Sequence, residues 1–494
     1  MIPSRLASLP VLALILLLDA CASRPINPPI KQVEPTTGYR FQTRQKYFRD
    51  SENLVVLAFS GGGTRAAAFS YGVLEFLRRT EVAGPKGGRL RLLDEVDVIT
   101  GVSGGSFTAL AYGLYGEKLF DEYERRFLKR DVQGELIARF VNPAYWGSLW
   151  SPGWGRSELA AQLYDEILFN GATFADLDRA GGPFIIATAT DISTGARVPF
   201  VQNSFDILCS DLGAVPLSRA AAASSAVPVV LSPVTLSNYG GTCDFAIPSW
   251  LLPFTDPAKR TRPAARALRN LQEVLSYEDG ARRPYIHLVD GGVSDNVAMR
   301  GVLDAMEAVE ALRSAHQPTP LDRVRRIIVI VVNSLSSPKT NWDQSERPPG
   351  TLEILLRATG VPIDHYSYEA IELLKDTAAR WQTMRRLRAS AAFAGNRDPA
   401  VADALNAPDI DIYAIDVSFP QLKDTAELDY LNELPTTFVL PAEAVDRLRA
   451  AAGTILLSSP EFNRLLKDVG ATIVPGATAA GSAAKPAARG AAAP

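Results

Sequence analysis

The stretch Asp97-Val98-Ile99-Thr100-Gly101-Val102-Ser103-Gly104-Gly105-Ser106 decides the fold. A short apolar run stops at a serine set between glycines, and a helix-prone run over 107–115 follows. This is the strand–turn–helix context of a G-x-S-x-G nucleophile elbow. Gly101 and Gly105 permit a sharp turn that a Cβ would obstruct. Ser103 is then lifted out at the head of a helix, where backbone N–H groups and the dipole favour developing negative charge. The pentapeptide alone recurs by chance, so its meaning depends on its surroundings.

Upstream, Leu54-Val55-Val56-Leu57-Ala58-Phe59 has the β-rich apolar character of a buried parallel strand. Ser60-Gly61-Gly62-Gly63-Thr64-Arg65 follows, then a helical pattern over 66–79 with Phe69, Val73, Leu74 and Leu77 on one face. A glycine loop between strand and helix can cradle phosphate, but the spacing is not G-x-G-x-x-G and the P-loop lysine is missing. The alternative is an oxyanion hole built from the N–H groups of Gly61, Gly62 and Gly63, each such donor contributing about 10²–10³ in rate. Arg65 orients this loop or adds positive charge, or else forms a surface ion pair. Downstream, Tyr285-Ile286-His287-Leu288-Val289-Asp290-Gly291-Gly292 is a strand ending at an aspartate and two glycines. That places a carboxylate at the same strand-end edge as Ser103. Further buried strands are expected over 183–191 and 326–333.

Composition is that of a globular protein: 47% hydrophobic and 21% charged over 494 residues. The net charge of -3 gives no drive toward nucleic acid. Arg5 precedes an apolar stretch over 9–18 that is too short to span a membrane and has the shape of a signal peptide. Leu18-Asp19-Ala20-Cys21 resembles a bacterial lipobox, so 1–20 is expected to be a lipoprotein signal peptide and Cys21 the lipidated residue. An exported lipoprotein is implied, anchored at the outer membrane and facing the periplasm or the cell surface. Two cysteines remain, Cys209 and Cys243; in an exported chain they form either a disulfide or two buried thiols.

Residues 21–50 read as a tether, 51–335 as the catalytic domain with a Pro- and Arg-rich insertion at 244–283, 336–470 as a mainly helical C-terminal extension, and 471–494 as a disordered Ala/Gly/Pro tail. Trp146, Trp150 and Trp154 lie among Gly and Pro, which argues for a loop, either clasping the core or lining an acyl-chain entrance.

The motifs together resemble the patatin-like phospholipase family, in particular its bacterial lipoprotein-type members. The glycine loop, the elbow, Ala223-Ser224-Ser225-Ala226-Val227-Pro228 and Asp290-Gly291-Gly292 occur in the family's order. Tyr430-Leu431, Pro435-Thr436-Thr437-Phe438 and Ser459-Pro460-Glu461-Phe462 are also similar to the C-terminal region of such proteins. Ala66 departs from the glycine that many members carry. The resemblance implies an α/β fold, a three-layer α/β/α sandwich with a mostly parallel sheet. It implies Ser103 as nucleophile, Asp290 as its partner in a Ser–Asp dyad, and Gly61, Gly62 and Gly63 as the oxyanion hole with Arg65 assisting. Lipid acyl esters are the implied substrates, here membrane phospholipid or lysophospholipid, with neither cofactor nor metal.

A conventional triad needs a histidine base. His287 alternates to the strand face opposite Asp290, His316 lies in a polar turn, and His365 is the one that could reach the site. Direct proton transfer from Ser103 to Asp290 therefore requires desolvation to lift the carboxyl from about 4 toward working pH. The competing functions are a carboxylesterase or thioesterase with the same dyad, and an inactive lipid-binding envelope lipoprotein.

Overall fold

The computed structural model describes residues 23–474 apart from 49–51, 84–87, 150, 152, 249–250, 252–264, 315–318, 320, 341, 394–397, 399–400, 402–404 and 406–407. The signal peptide, Cys21, Trp150, His316 and the tail from 475 onward lie outside the described residues.

The strands are β1 (Asn53–Phe59), β2 (Glu81–Ala83), β3 (Arg89–Arg91), β4 (Val98–Val102), β5 (Phe184–Asp191), β6 (Arg197–Pro199), β7 (Val234–Ser237), β8 (Tyr285–Asp290), β9 (Arg326–Asn333), β10 (Asp411–Ser418) and β11 (Thr472–Ile473). The helices that matter for the site are α1 (Gly63–Arg79), α2 (Gly104–Tyr115), α3 (Arg156–Tyr164), α4 (Leu217–Ser224), α5 (Thr351–Ala389) and α6 (Ala442–Ser458). The main sheet runs in the order β10-β9-β1-β4-β5-β8-β7, with β6 beside β5. From β10 to β5 every pairing is parallel; β5–β8, β8–β7 and β5–β6 are antiparallel. The apolar runs of β1, β4 and β9 lie at its centre, as expected for strands covered on both faces. The fold is thus the three-layer α/β/α sandwich, mostly parallel, with a mainly helical C-terminal region.

This topology brings the chemistry to one edge. β1 and β4 run side by side and both deliver a glycine turn at their C-terminal ends. β8 enters antiparallel to β5, with Ala189 opposite Asp290, so its own C-terminal end faces the same loops.

Two expectations about the chain's periphery are corrected. The stretch from 23 to 48 is no loose tether. Asn27 is buried and bonds Ser210 Oγ and Ser237 O, Ile30 N–H donates to Cys209 O, and Arg40 forms a buried ion pair with Asp206. Hydropathy periodicity misses this strap because it is fixed by polar side chains and by single apolar residues such as Tyr39, rather than by an apolar face. The region beyond 335 is likewise no appendage. β10 extends the main sheet in parallel beside β9, and α6 packs so closely on α1 that a Cβ on Gly72 would lie 2.5 Å from Arg449 O. Even the start of the Ala/Gly/Pro tail is ordered: Thr472 and Ile473 pair with β2. Within the 244–283 insertion, the described helix Ala265–Glu278 is fastened by Tyr277, whose hydroxyl donates to Asp191 Oδ2 at 3.1 Å. Cys209 and Cys243 are joined by a disulfide with Cα atoms 5.5 Å apart.

Candidate active site

The turn after β4 puts Ser103 at φ 49°, ψ −121°, a left-handed conformation that a residue with a Cβ seldom adopts. The flanking glycines explain how the strain, of order 1–3 kcal/mol, is tolerated. A Cβ on Gly101 would sit 2.8 Å from Ser106 Cα, and one on Gly105 2.6 Å from Ser60 O. The turn is held from outside too, since Ser103 N–H donates to Ser224 Oγ at 2.9 Å, and that hydroxyl donates onward to Thr188 O at 2.7 Å. Ser224 was visible in the sequence as part of a motif, but its task could not be read there.

Ser103 Oγ donates to Asp290 Oδ2 at 2.8 Å. The other carboxylate oxygen, Oδ1, accepts from Gly292 N–H at 2.7 Å. Asp290 N–H donates to Ala226 O and Gly291 N–H to Ser224 O, so the Asp-Gly-Gly turn is braced by the end of α4. Gly291 is required sterically, since a Cβ there would lie 2.3 Å from Thr188 O. Both side chains are nearly enclosed, with Ser103 5% and Asp290 7% exposed. Burial pushes the Asp290 carboxyl up to about 6, against the opposing bonds from Gly292 N–H and Ser103. Among the described residues no arginine, lysine or histidine pairs with it. His287 is exposed and its Nδ1 lies 3.0 Å from Thr235 Oγ1, and His365 is exposed on α5. The arrangement is a hydroxyl hydrogen-bonded to a desolvated carboxylate, able to exchange a proton near neutral pH.

The glycine loop divides its labour in a way the sequence did not show. Gly61 N–H donates to Asn296 O at 2.9 Å and so is not free to bind an anion. Its lack of a Cβ serves close approach, because a Cβ would be 2.5 Å from Asn296 Oδ1 and 3.3 Å from Ser103 Cβ. Gly62 (φ 138°) and Gly63 (φ 60°) take conformations reserved largely for glycine. Gly63 abuts the elbow: a Cβ on Gly104 would be 2.0 Å from Gly63 O. The N–H groups of Gly62, Gly63 and Gly104 bond to no described residue. Gly104, the residue after the elbow serine, joins Gly62 and Gly63 in that set at the head of α2.

Arg65 holds the glycine loop from within the protein. Its Nε donates to Ser334 O at 2.7 Å, Nη1 to Leu434 O at 2.7 Å and Nη2 to Thr436 Oγ1 at 3.1 Å. Burial pushes its guanidinium down to about 10. It is neither a surface ion pair nor aimed at the serine: it pins the glycine loop to β9's exit and to the 434–436 strap. That strap continues into Thr437, whose carbonyl accepts from Thr64 N–H at 2.8 Å.

A family model described as patatin-like phospholipase matches residues 57–303, which contain the glycine loop, the elbow and Asp290. The chain belongs to the patatin-like phospholipase family. Within this patatin-like chain, the described residues outside the match supply β9, β10, the 434–438 strap and α6. Among solved structures it is similar to human GIVD cytosolic phospholipase A2 (14% identity, TM-score 0.35, covering 87% of this chain and 64% of that one). It is also similar to VipD from Legionella pneumophila (11% identity, TM-score 0.26, 93% and 74%). A third is the SpcU–ExoU complex from Pseudomonas aeruginosa (15% identity, TM-score 0.20, 85% and 91%). The chain thus spans less than two thirds of the human enzyme's length. No curated protein matches it.

Proposed function

We propose that this protein is a serine acyl hydrolase of phospholipase A or lysophospholipase type. The observation that carries the proposal is the 2.8 Å hydrogen bond from Ser103 Oγ to a buried carboxylate that no cation among the described residues pairs with. Asp290 takes the hydroxyl proton as Ser103 Oγ attacks the ester carbonyl carbon. The carbonyl oxygen, now negative, is met by the N–H groups of Gly62, Gly63 and Gly104. Asp290 then returns the proton to the departing alcohol oxygen, leaving an acyl group on Ser103. Water attacks that acyl group, giving a proton to Asp290, and the proton passes to Ser103 Oγ as the fatty acid leaves.

Membership of a lipid acyl hydrolase family supports phospholipid or lysophospholipid as substrate over other acyl esters. The apolar stretch before Cys21 supports a lipidated N-terminus that holds the enzyme at its substrate. A fluorophosphonate probe should label the wild type and not Ser103→Ala, and a phospholipid panel scored by released fatty acid should identify the substrate. Absence of label, or label on Ser103→Ala, refutes the dyad. Labelling with turnover of simple esters but of no phospholipid would make the protein a carboxylesterase. A palmitate analogue incorporated by wild type but not by Cys21→Ala tests the anchor.

A further inference from the structure

Next to the Asp-Gly-Gly turn a small recess opens. Its walls are the segment 292–296, Arg300, and Ile363 and Tyr366 of α5, which crosses over that segment. Its volume of about 10 Å³ suits a single oxygen-sized group rather than an acyl chain.

Asn296 joins this recess to the reacting groups. A Cβ on Gly292 would lie 2.9 Å from Asn296 Oδ1 and 3.1 Å from Asp290 Oδ1. On the other side, a Cβ on Gly61 would lie 2.5 Å from Asn296 Oδ1 and 3.3 Å from Ser103 Cβ. One amide thus fills the space that both glycines leave, at the corner where the Asp-Gly-Gly turn meets the glycine loop. The Asn296 backbone carbonyl, accepting from Gly61 N–H at 2.9 Å, holds it there. An apolar side chain would serve as a spacer. Instead the position carries a half-buried amide with no side-chain hydrogen bond among the described residues.

The second polar wall is Arg300. Its backbone N–H donates to Asp295 Oδ2 at 2.8 Å, and Met299 N–H donates to Asp295 Oδ1 at 3.1 Å. Both oxygens of that buried carboxylate are therefore engaged by backbone. Asp364, next to Ile363, is paired with Arg357 at 3.8 Å. The half-buried Arg300 guanidinium stands over the Tyr366 ring, 5.9 Å from its centroid, and among the described residues it makes no hydrogen bond or ion pair. A guanidinium held on an aromatic face with its donors uncommitted matches the oxygens of a phosphate group.

We propose that this recess binds the anionic phosphodiester of the substrate's head group, through Arg300 and the Asn296 amide. The inference rests on the acyl-transfer reading above and deepens it. Asp290 returns its proton to the departing alcohol oxygen, so the alcohol half of the ester lies on the Asp290 side of the site. In a glycerophospholipid that half carries a phosphodiester a few bonds beyond the ester oxygen, and one of its free oxygens seats in the recess. A neutral acylglycerol has no such group and gains nothing from these donors.

The test compares two soluble substrates with the same short acyl chains, a phosphatidylcholine and a diacylglycerol. Wild-type kcat/KM should favour the phosphatidylcholine. Arg300→Gln should cut that preference by about tenfold, through KM, and Arg300→Lys should keep part of it. An unchanged preference in Arg300→Gln overturns the inference. So does an equal loss on both substrates, which would make Arg300 structural. Inorganic phosphate separates a head group from a free anion: it should compete with phosphatidylcholine in the wild type and lose that effect in Arg300→Gln. Loss of phosphate inhibition with the substrate preference intact would make the recess a free-phosphate site and overturn the head-group assignment. Failure of the phospholipase reading itself is seen in the wild type, before any substitution, as turnover of the diacylglycerol but not of the phosphatidylcholine, and it takes the inference with it.

Discussion

Asp206 and Asp290 are the same residue type, both buried, in two regions treated in opposite ways. Asp206 faces Arg40 of the N-terminal strap, which donates to both its carboxylate oxygens, and Gln202 Nε2 adds a third bond at 3.1 Å. Asp290 faces a serine hydroxyl and one backbone N–H, with no cation paired to it among the described residues. Burying a carboxylate is costly either way. At Asp206 the cost is offset by an opposite charge, and the pair fastens the N-terminal strap to the fold. At Asp290 the cost is left standing, and the carboxyl rises to about 6, where it can take a proton and give it back. Burial is common to the two; the counter-charge at Asp206 and its absence among the described residues around Asp290 set them apart.

The sharpest way to break this contrast is to remove each group. Ser103→Ala and Asp290→Asn should each lower kcat/KM on a lipid ester by about 10⁴-fold or more. Arg40→Ala should leave kcat within about twofold but destabilise the protein by about 3–5 kcal/mol in urea unfolding, because Asp206 is left buried and unpaired. If Arg40→Ala instead cost activity at constant stability, the strap would belong to the site and the contrast would fail.

The disulfide beside Asp206 closes a 34-residue separation, and Cys209→Ser with Cys243→Ser should cost about 3–4 kcal/mol with little change in kcat.

Stability should respond to Asp290 with the sign its raised value dictates. Between about 4 and 6 the folded form binds more protons than the unfolded chain, so this group's contribution falls as pH rises through that window. Asp290→Asn should therefore be more stable than wild type at pH 8, by about 2–3 kcal/mol, and show no gain near pH 3. The smallest effect is in the rate profile, where kcat/KM of the wild type should drop about tenfold per pH unit below about 6 and level off above it. A profile flat from pH 5 to 8 would remove Asp290 from the proton transfer.

Much of the site was legible because its parts are local. The elbow, the glycine loop and the Asp-Gly-Gly turn announce themselves through glycines at fixed offsets from apolar runs. What the motifs do not disclose are partners far away in the chain. Gly61 serves close packing against Asn296, and Arg65 gives its donors to Ser334, Leu434 and Thr436, none of which is near it in sequence. The strap over 23–48 was invisible for a related reason: Tyr39, Asn27 and Arg40 are fixed singly by partners more than a hundred residues away.

By itself, then, the sequence determined the strands that carry the site, the turns that end them and the residue types those turns present, since backbone conformation is set by neighbours a few positions apart. That Ser103 meets a carboxylate 187 residues away was decided by tertiary structure. It depends on β4 lying parallel to β5 and β8 antiparallel to it in one register, and on packing that buries Asp290 with no described cation paired to it. Strand order and desolvation are properties of the packed whole, and no spacing along the chain encodes them.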